Sequence, residues 1–158
     1  MKKKHFLMLA FLVIGFASCG KKNSTPTFNA AAQAAADKAT IQAYITTHKL
    51  DSVQSGGDGL YYKIITPGTG TYPGVNSIIT VNYTGSLANG SVFAPTSPAT
   101  AILGSFIEGW QLGIPLINTG GTILLLIPSA LGYGDSSPAP SIPVNSVLIF
   151  TVNLVSFN

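Results

Sequence analysis

The side chains that usually carry enzymatic chemistry are scarce here. Acidic residues number 5 among 158. Asp37, Asp51, Asp58, Glu108 and Asp135 show no metal-ligand spacing. Nor do they make the close carboxylate pair or strong nucleophile that glycoside or peptide hydrolysis needs. His48 sits in a helical pattern and reads as a solvated side chain. There is no G-x-S-x-G elbow and no Ser–His or Cys–His arrangement. The glycines of PGTGTYPG (67–74) do not make G-x-G-x-x-G, and no helix follows to hold a phosphate. The sequence implies no metal and no cofactor. Strand ends and loops carry large apolar groups instead: Tyr83, Phe93, Phe106, Ile107, Trp110, Tyr133 and Phe150. Such a set can only enclose: it is either ordinary core, the usual fate of aromatics, or the lining of a site that works without charge.

The elements that would position these residues are mostly strands. In VNYTGSLANGSVFAP (81–95), Val81 and Tyr83 alternate with polar residues, and Asn89-Gly90 offers a two-residue hairpin turn. No charged side chain occurs in that stretch. LYYKII (60–65) reads as a strand ending at a Pro-Gly turn. In SIITVNYTGSL, Ile79, Val81 and Tyr83 share one face. TILLLIP (122–128) is continuously apolar, as a central strand covered on both faces should be. The last strand puts Leu148, Phe150, Val152 and Leu154 on one face. LGYGDSSPAPSIPVN (131–145) is too proline-rich for a central strand. One short helix is expected in EGWQLGIPLI, limited by Pro115. A further helix is expected over residues 30–50, rich in alanine, with Ile41, Tyr44 and Ile45 on one face. SVQSGGDG (52–59) reads as a loop. The pattern is α+β, an antiparallel sheet with one short helix, preceded by a helix outside that domain.

The N-terminus has a different character. Lys2, Lys3 and Lys4 precede the apolar run FLMLAFLVIGF, and small residues follow it, the pattern of an export signal. The run is short of the roughly 20 residues needed to span a bilayer. It ends at Cys19, the 1 cysteine of the chain, so no internal disulfide can form. FASC resembles a bacterial lipoprotein processing box, which implies cleavage before Cys19 and lipid on its sulfur. Phe16 departs from the aliphatic residue usual there. Ordinary signal cleavage leaving a free thiol is the alternative. On the first reading, acyl chains would hold the protein on a membrane.

 On the lipoprotein reading that membrane faces the periplasm. Cleavage would remove 3 of the 8 lysines and no acid, leaving a formally neutral chain with no arginine. That balance argues against nucleic acid as a partner, which needs a basic face to neutralise phosphates. The chain then divides into a signal (1–18), a lipid anchor and tether (19–29), a helix and linker (30–58) and a sheet domain (59–158).

Four short segments now fall in order: V-x-Y-T-G-x-L-x-x-G-x-x-F from Val81, I-x-G-W from Ile107, T-G-G from Thr119 and Y-G from Tyr133. Together with the leading LYYKII they resemble the FKBP family of peptidyl-prolyl cis-trans isomerases, over about residues 59–158. The resemblance implies a five- to six-stranded antiparallel sheet curled around one short helix, with a ligand pocket between them. It implies that Tyr83 and Phe93 line the pocket and that the Ile107 N–H donates to the ligand. Phe106 would stand beside it. Trp110 would form the floor, Tyr133 O–H would meet a substrate carbonyl, Ile142 would close one side, and Phe150 would lie behind the ring. The implied partners are proline-containing unfolded or exported polypeptides, with macrolides as competing ligands.

Three departures stand out. Ala94 occupies the place of the family's usual Asp, Ala99 and Ala101 stand where a pocket aromatic is common, and the segment from Gly104 to Ile107 is short. They leave two activities open, an isomerase and a binding module of the same fold that grips proline-containing segments with little catalysis. A structural β-rich lipoprotein is the third reading.

Overall fold

The apolar run at 122–127 forms a strand buried on both faces, and the other elements are arranged about it. The computed structural model describes residues 28–158. The signal, Cys19 and almost all of the tether therefore lie outside the described residues. Strands β1 (Gln54–Gly57), β2 (Leu60–Thr66), β3 (Ile78–Leu87), β4 (Val92–Ile102), β5 (Thr122–Ile127) and β6 (Leu148–Phe157) join helices α1 (Ala30–Thr47) and α2 (Glu108–Gly113). The six strands form one antiparallel sheet in the order β1-β2-β5-β6-β3-β4. The sheet is open, with β1 and β4 at its edges.

Alternation decides which side chain meets which helix. Ile123, Leu125 and Ile127 of β5 join Leu148, Phe150, Val152 and Leu154 of β6 and Ile79 and Val81 of β3 in the main core. Trp110 of α2 and the following Ile114 close that core. Leu126 and Ile149 point the other way, where Ile41 of α1 covers them. Ile41, Leu125, Leu126 and Leu148 are fully buried, and each such aliphatic side chain contributes about 1.5–3 kcal/mol.

Helix α1 begins at Asn29, whose side chain accepts the Ala32 N–H at 3.0 Å. It ends at Thr47, ahead of the expected residue 50. Lys49 there turns left-handed (φ 51°) and the Leu50 N–H returns to the Ile45 carbonyl at 3.0 Å, a Schellman closure. Tyr44 and Ile45 flank Ile41 against the sheet. The helix thus stands outside the sheet-and-α2 core and packs on the opposite face of the sheet. Helix α2 gives way at Pro115 to a short 3-10 turn, Ile114–Leu116.

Two expectations are corrected. Residues 54–57 form β1 rather than a loop, pairing with β2 from Gln54 opposite Tyr62. All four residues are exposed, so no apolar alternation marks the strand; beside the backbone pairing, the Gln54 side chain accepts the Tyr62 hydroxyl at 3.0 Å. The hairpin between β3 and β4 is not a two-residue turn. The Gly90 N–H reaches the Leu87 carbonyl, the Leu87 N–H reaches the Ser91 carbonyl, and among these loop residues only Gly90 has positive φ (90°). This is a three-residue loop with a glycine bulge, which suits the right-handed twist without placing Asn89 in the left-handed region. Strand β4 carries Pro95 and Pro98, which an edge tolerates because no further strand needs their missing N–H.

Candidate functional site

The site is built where α2 crosses the sheet. Gly109 permits a close approach: a Cβ there would lie 2.5 Å from Cγ2 of Ile127. The approach seats the next residue, Trp110, over β3 and β6. Gly85 plays the matching part in β3. A Cβ there would meet Phe93 at 2.5 Å and Phe150 at 2.8 Å. Two glycines in the sequence motifs are therefore spaces into which aromatic or aliphatic neighbours fit.

Around those spaces the aromatics interlock. Trp110 meets Tyr83 edge-on with ring centres 5.0 Å apart, Phe150 edge-on at 5.3 Å, and Phe106 tilted at 4.9 Å. Phe93 meets Phe150 edge-on at 5.5 Å. Edge-to-face contacts at such distances add about 0.5–1.5 kcal/mol each beyond burial. The rings border a cavity of about 430 Å³ lined by Tyr83, Phe93, Ala94, Ser105, Phe106, Ile107, Trp110, Tyr133, Pro138, Ala139, Ile142 and Phe150. The structure thus brings Tyr83, Phe93, Phe106, Ile107, Trp110, Tyr133, Ile142 and Phe150 together from β3, β4, the segment entering α2, α2 itself, the β5–β6 connection and β6. Ser105, Pro138 and Ala139 line it too, and no residue-type signal in the sequence marks them.

No ionisable group other than the two phenols lines the cavity. Burial, with Tyr83 nearby, raises the Tyr133 pKa above its ordinary value, so its hydroxyl stays a proton donor. Among the described residues, the tyrosine hydroxyls in hydrogen bonds are those of Tyr61 and Tyr62, with Gln42 and Gln54. Those of Tyr83 and Tyr133 have no partner among the described residues. The buried Trp110 Nε1 also lacks one.

Gln111 escaped sequence reasoning, since an exposed-looking helical glutamine carries no signal. Its Nε2 donates to the Phe106 carbonyl at 2.7 Å. That carbonyl shares a planar trans peptide with the Ile107 N–H, which must therefore point the opposite way. Gln111 thereby sets the direction of a donor that, among the described residues, serves no other group.

Residues 70–155 match the family described as FKBP-type peptidyl-prolyl cis-trans isomerase. The chain belongs to that family. It is 38% identical over 120 residues to the peptidyl-prolyl cis-trans isomerase Mip of Coxiella burnetii, covering 73% of this chain and 52% of that protein. It is 41% identical over 102 residues to the outer membrane protein MIP of Legionella longbeachae, covering 62% of this chain and 44% of that one. Among solved structures, FkpA from Escherichia coli superposes with a TM-score of 0.69 at 32% identity, covering 81% of this chain and 62% of that one. The chain spans about half the length of the curated relatives it matches.

Within this FKBP-type domain the departures can be located. Ala94 lines the cavity, so no carboxylate stands beside the two phenols. Ala99 packs on the core at its margin, and neither it nor Ala101 reaches the cavity. The short segment after Ile102 folds as a 3-10 turn, Leu103–Ser105, with Ser105 Oγ donating to the Ile102 carbonyl at 2.6 Å.

Proposed function

We propose that the chain catalyses cis-trans rotation of X–Pro bonds in exported polypeptides. The observation that carries this reading is the aromatic cavity floored by Trp110, with two unpaired phenols and no ionised group in its lining. An X–Pro bond has nearly balanced cis and trans forms, yet exchanges over tens to hundreds of seconds. Amide resonance holds the bond planar behind a barrier of roughly 18–20 kcal/mol. At the twisted transition state the resonance is lost and the amide becomes less polar. A dry aromatic wall suits that form better than the planar one, which is differential transition-state binding.

The roles follow from position. Trp110 takes the proline ring, with Tyr83, Phe93 and Phe150 around it. The Ile107 N–H and Tyr133 O–H hold carbonyls of the substrate, while Phe106 and Ile142 bound the flanks. No proton need move, and no group outside the polypeptide is invoked.

The test is the cis-to-trans rate of a short X-Pro peptide with the full chain, with and without a macrolide competitor. Acceleration that the macrolide suppresses is expected. A rate equal to the thermal one would reject catalysis. Ala94 supports a second reading, a module that binds proline-containing segments without accelerating their rotation. Peptide binding without acceleration would select it.

We further propose that the chain is exported and lipid-anchored through Cys19, facing the periplasm. The basic, apolar and small-residue order before Cys19 supports this, as does the name of the outer membrane protein relative. Radiolabelled fatty acid should appear on the protein and vanish in Cys19→Ala; label persisting in that variant would refute the anchor.

A further inference from the structure

The cavity takes Tyr133, Pro138, Ala139 and Ile142 from a single long connection between β5 and β6. Connections of this length without much regular structure are uncommon in small domains and need something to hold them. Its tip is stitched by Ser137, whose Oγ lies 2.9 Å from the Ala139 carbonyl and 2.7 Å from that of Ile142. Its base is held differently. Asp37 of α1 is only 3% exposed. One of its oxygens accepts the Ser129 N–H at 2.8 Å and the Ser129 O–H at 2.6 Å. The other accepts from Gln33 Nε2 at 2.7 Å.

From Ser129 the chain of bonds runs into the loop. The Ser129 carbonyl accepts the Gly134 N–H at 2.8 Å, and the Gly134 carbonyl accepts the Asn145 N–H at 2.6 Å. Gln33 Nε2 also reaches the Asn145 carbonyl at 3.4 Å. Both ends of the loop, and the residue after Tyr133, are thus tied to α1. Among the described residues, no cation pairs with Asp37; the ion pair present is Lys63 with Asp51. A buried carboxylate without a cation is an expensive way to attach a helix, since an apolar contact would do so without the desolvation penalty. What it adds is direction.

We propose that Asp37 is a positioning residue, through which α1 clasps the loop base and sets Tyr133 and Ile142 for substrate. The kinetic part of this rests on the isomerase reading above. Releasing the clasp lowers the fraction of molecules with the loop in its binding arrangement, and apparent affinity falls by that fraction. Once bound, the substrate meets the same side chains, so turnover at saturation is retained.

The experiment compares full-length Asp37→Ala, Asp37→Asn and Ser129→Ala in the X-Pro peptide assay and in amide hydrogen exchange. Asp37→Ala should raise KM about tenfold, in the range of coupling between separate sites, with kcat held within about twofold. Asp37→Asn should raise KM less than Asp37→Ala, because its amide oxygen can still accept from Ser129, although the Gln33 amide, turned over to accept from the new NH2, gives up the Asn145 carbonyl. Ser129→Ala removes one bond of the clasp and should raise KM about threefold. The Gly134 and Asn145 amides should lose protection in Asp37→Ala while β5 and β6 amides keep theirs.

A lower Tm with unchanged KM and unchanged exchange at Gly134 and Asn145 would make Asp37 merely adhesive and overturn the proposal. Equal KM increases in the Asn and Ala variants would overturn it as well. Should Asp37→Ala not fold, exchange in Ser129→Ala decides by the same criterion. If the parent chain is inactive, the isomerase reading falls, and the exchange comparison still decides the clasp.

Discussion

On the proposed function, Trp110 and Tyr133 would divide the work of the cavity between shape and polarity. The indole packs against Tyr83, Phe106 and Phe150, so Trp110→Ala removes a wall as well as a contact. A loss of about 3–5 kcal/mol in stability is expected, as for other buried aromatics, with peptide binding reduced in the folded fraction. Denaturant unfolding and peptide titration measure both; normal binding would place the substrate elsewhere. Tyr133→Phe removes a hydroxyl without a partner among the described residues. It should change stability by less than about 0.5 kcal/mol and weaken peptide binding about two- to tenfold, the effect of one hydrogen bond. The same phenol predicts the pH behaviour. Burial raises its pKa, so the folded chain holds the proton more tightly than the unfolded one. Its contribution is therefore complete below the ordinary tyrosine value of about 10 and is lost as pH rises through the higher folded value. The isomerisation rate constant should be flat through neutral pH; a bell centred near 7 would require a titrating group that the lining lacks. The lining aromatics were legible in the sequence because short motifs carry them. Asp37 was not, because one acid on an alanine-rich helix looks the same whether solvated or buried.

At the scale of elements, period and composition revealed whatever buries side chains. The runs at 78–87, 122–127 and 148–157 alternate or stay apolar, and each became a strand. Strand β1 escaped because Gln-Ser-Gly-Gly buries nothing and is held mainly by its backbone. The hairpin loop was misread because Asn-Gly suits more than one turn, and strand twist with loop length chooses between them. The contact of α2 with β5 gives a prediction of its own. Gly109→Ala adds a methyl where Ile127 already stands at 2.5 Å. Alanine favours a helix by up to about 1 kcal/mol over glycine, while overpacking costs about 1–3 kcal/mol. A net loss of stability is expected, with a higher KM as Trp110 shifts. A stabilised variant with unchanged kinetics would show that the helix has slack.

Across the whole molecule, the sheet is a partition with different tasks on its two faces. One face holds α2 and the cavity; the other holds α1. Ile41 is fully buried on that second face. Ile41→Ala should therefore cost about 2–5 kcal/mol in urea unfolding, and a loss below about 1 kcal/mol would mean that α1 is loosely attached. Sequence alone placed a thin apolar stripe on this helix without saying what it covers. Its partners, Leu126 and Ile149, belong to strands whose alternate residues face the main core, so the docking surface appears only when the strands are paired.

The open sheet has one more consequence. A protein proposed to work among unfolded chains keeps constant company with segments seeking a strand to join. An unpaired edge would offer them a template, and client and helper would aggregate together. Strand β4 is the long edge, and Pro95 and Pro98 each remove a backbone donor from it. The edge is blunted beside Phe93 and Ala94 of the cavity wall, so on the proposed function an extended client segment leaving the cavity would meet no ready template in this sheet.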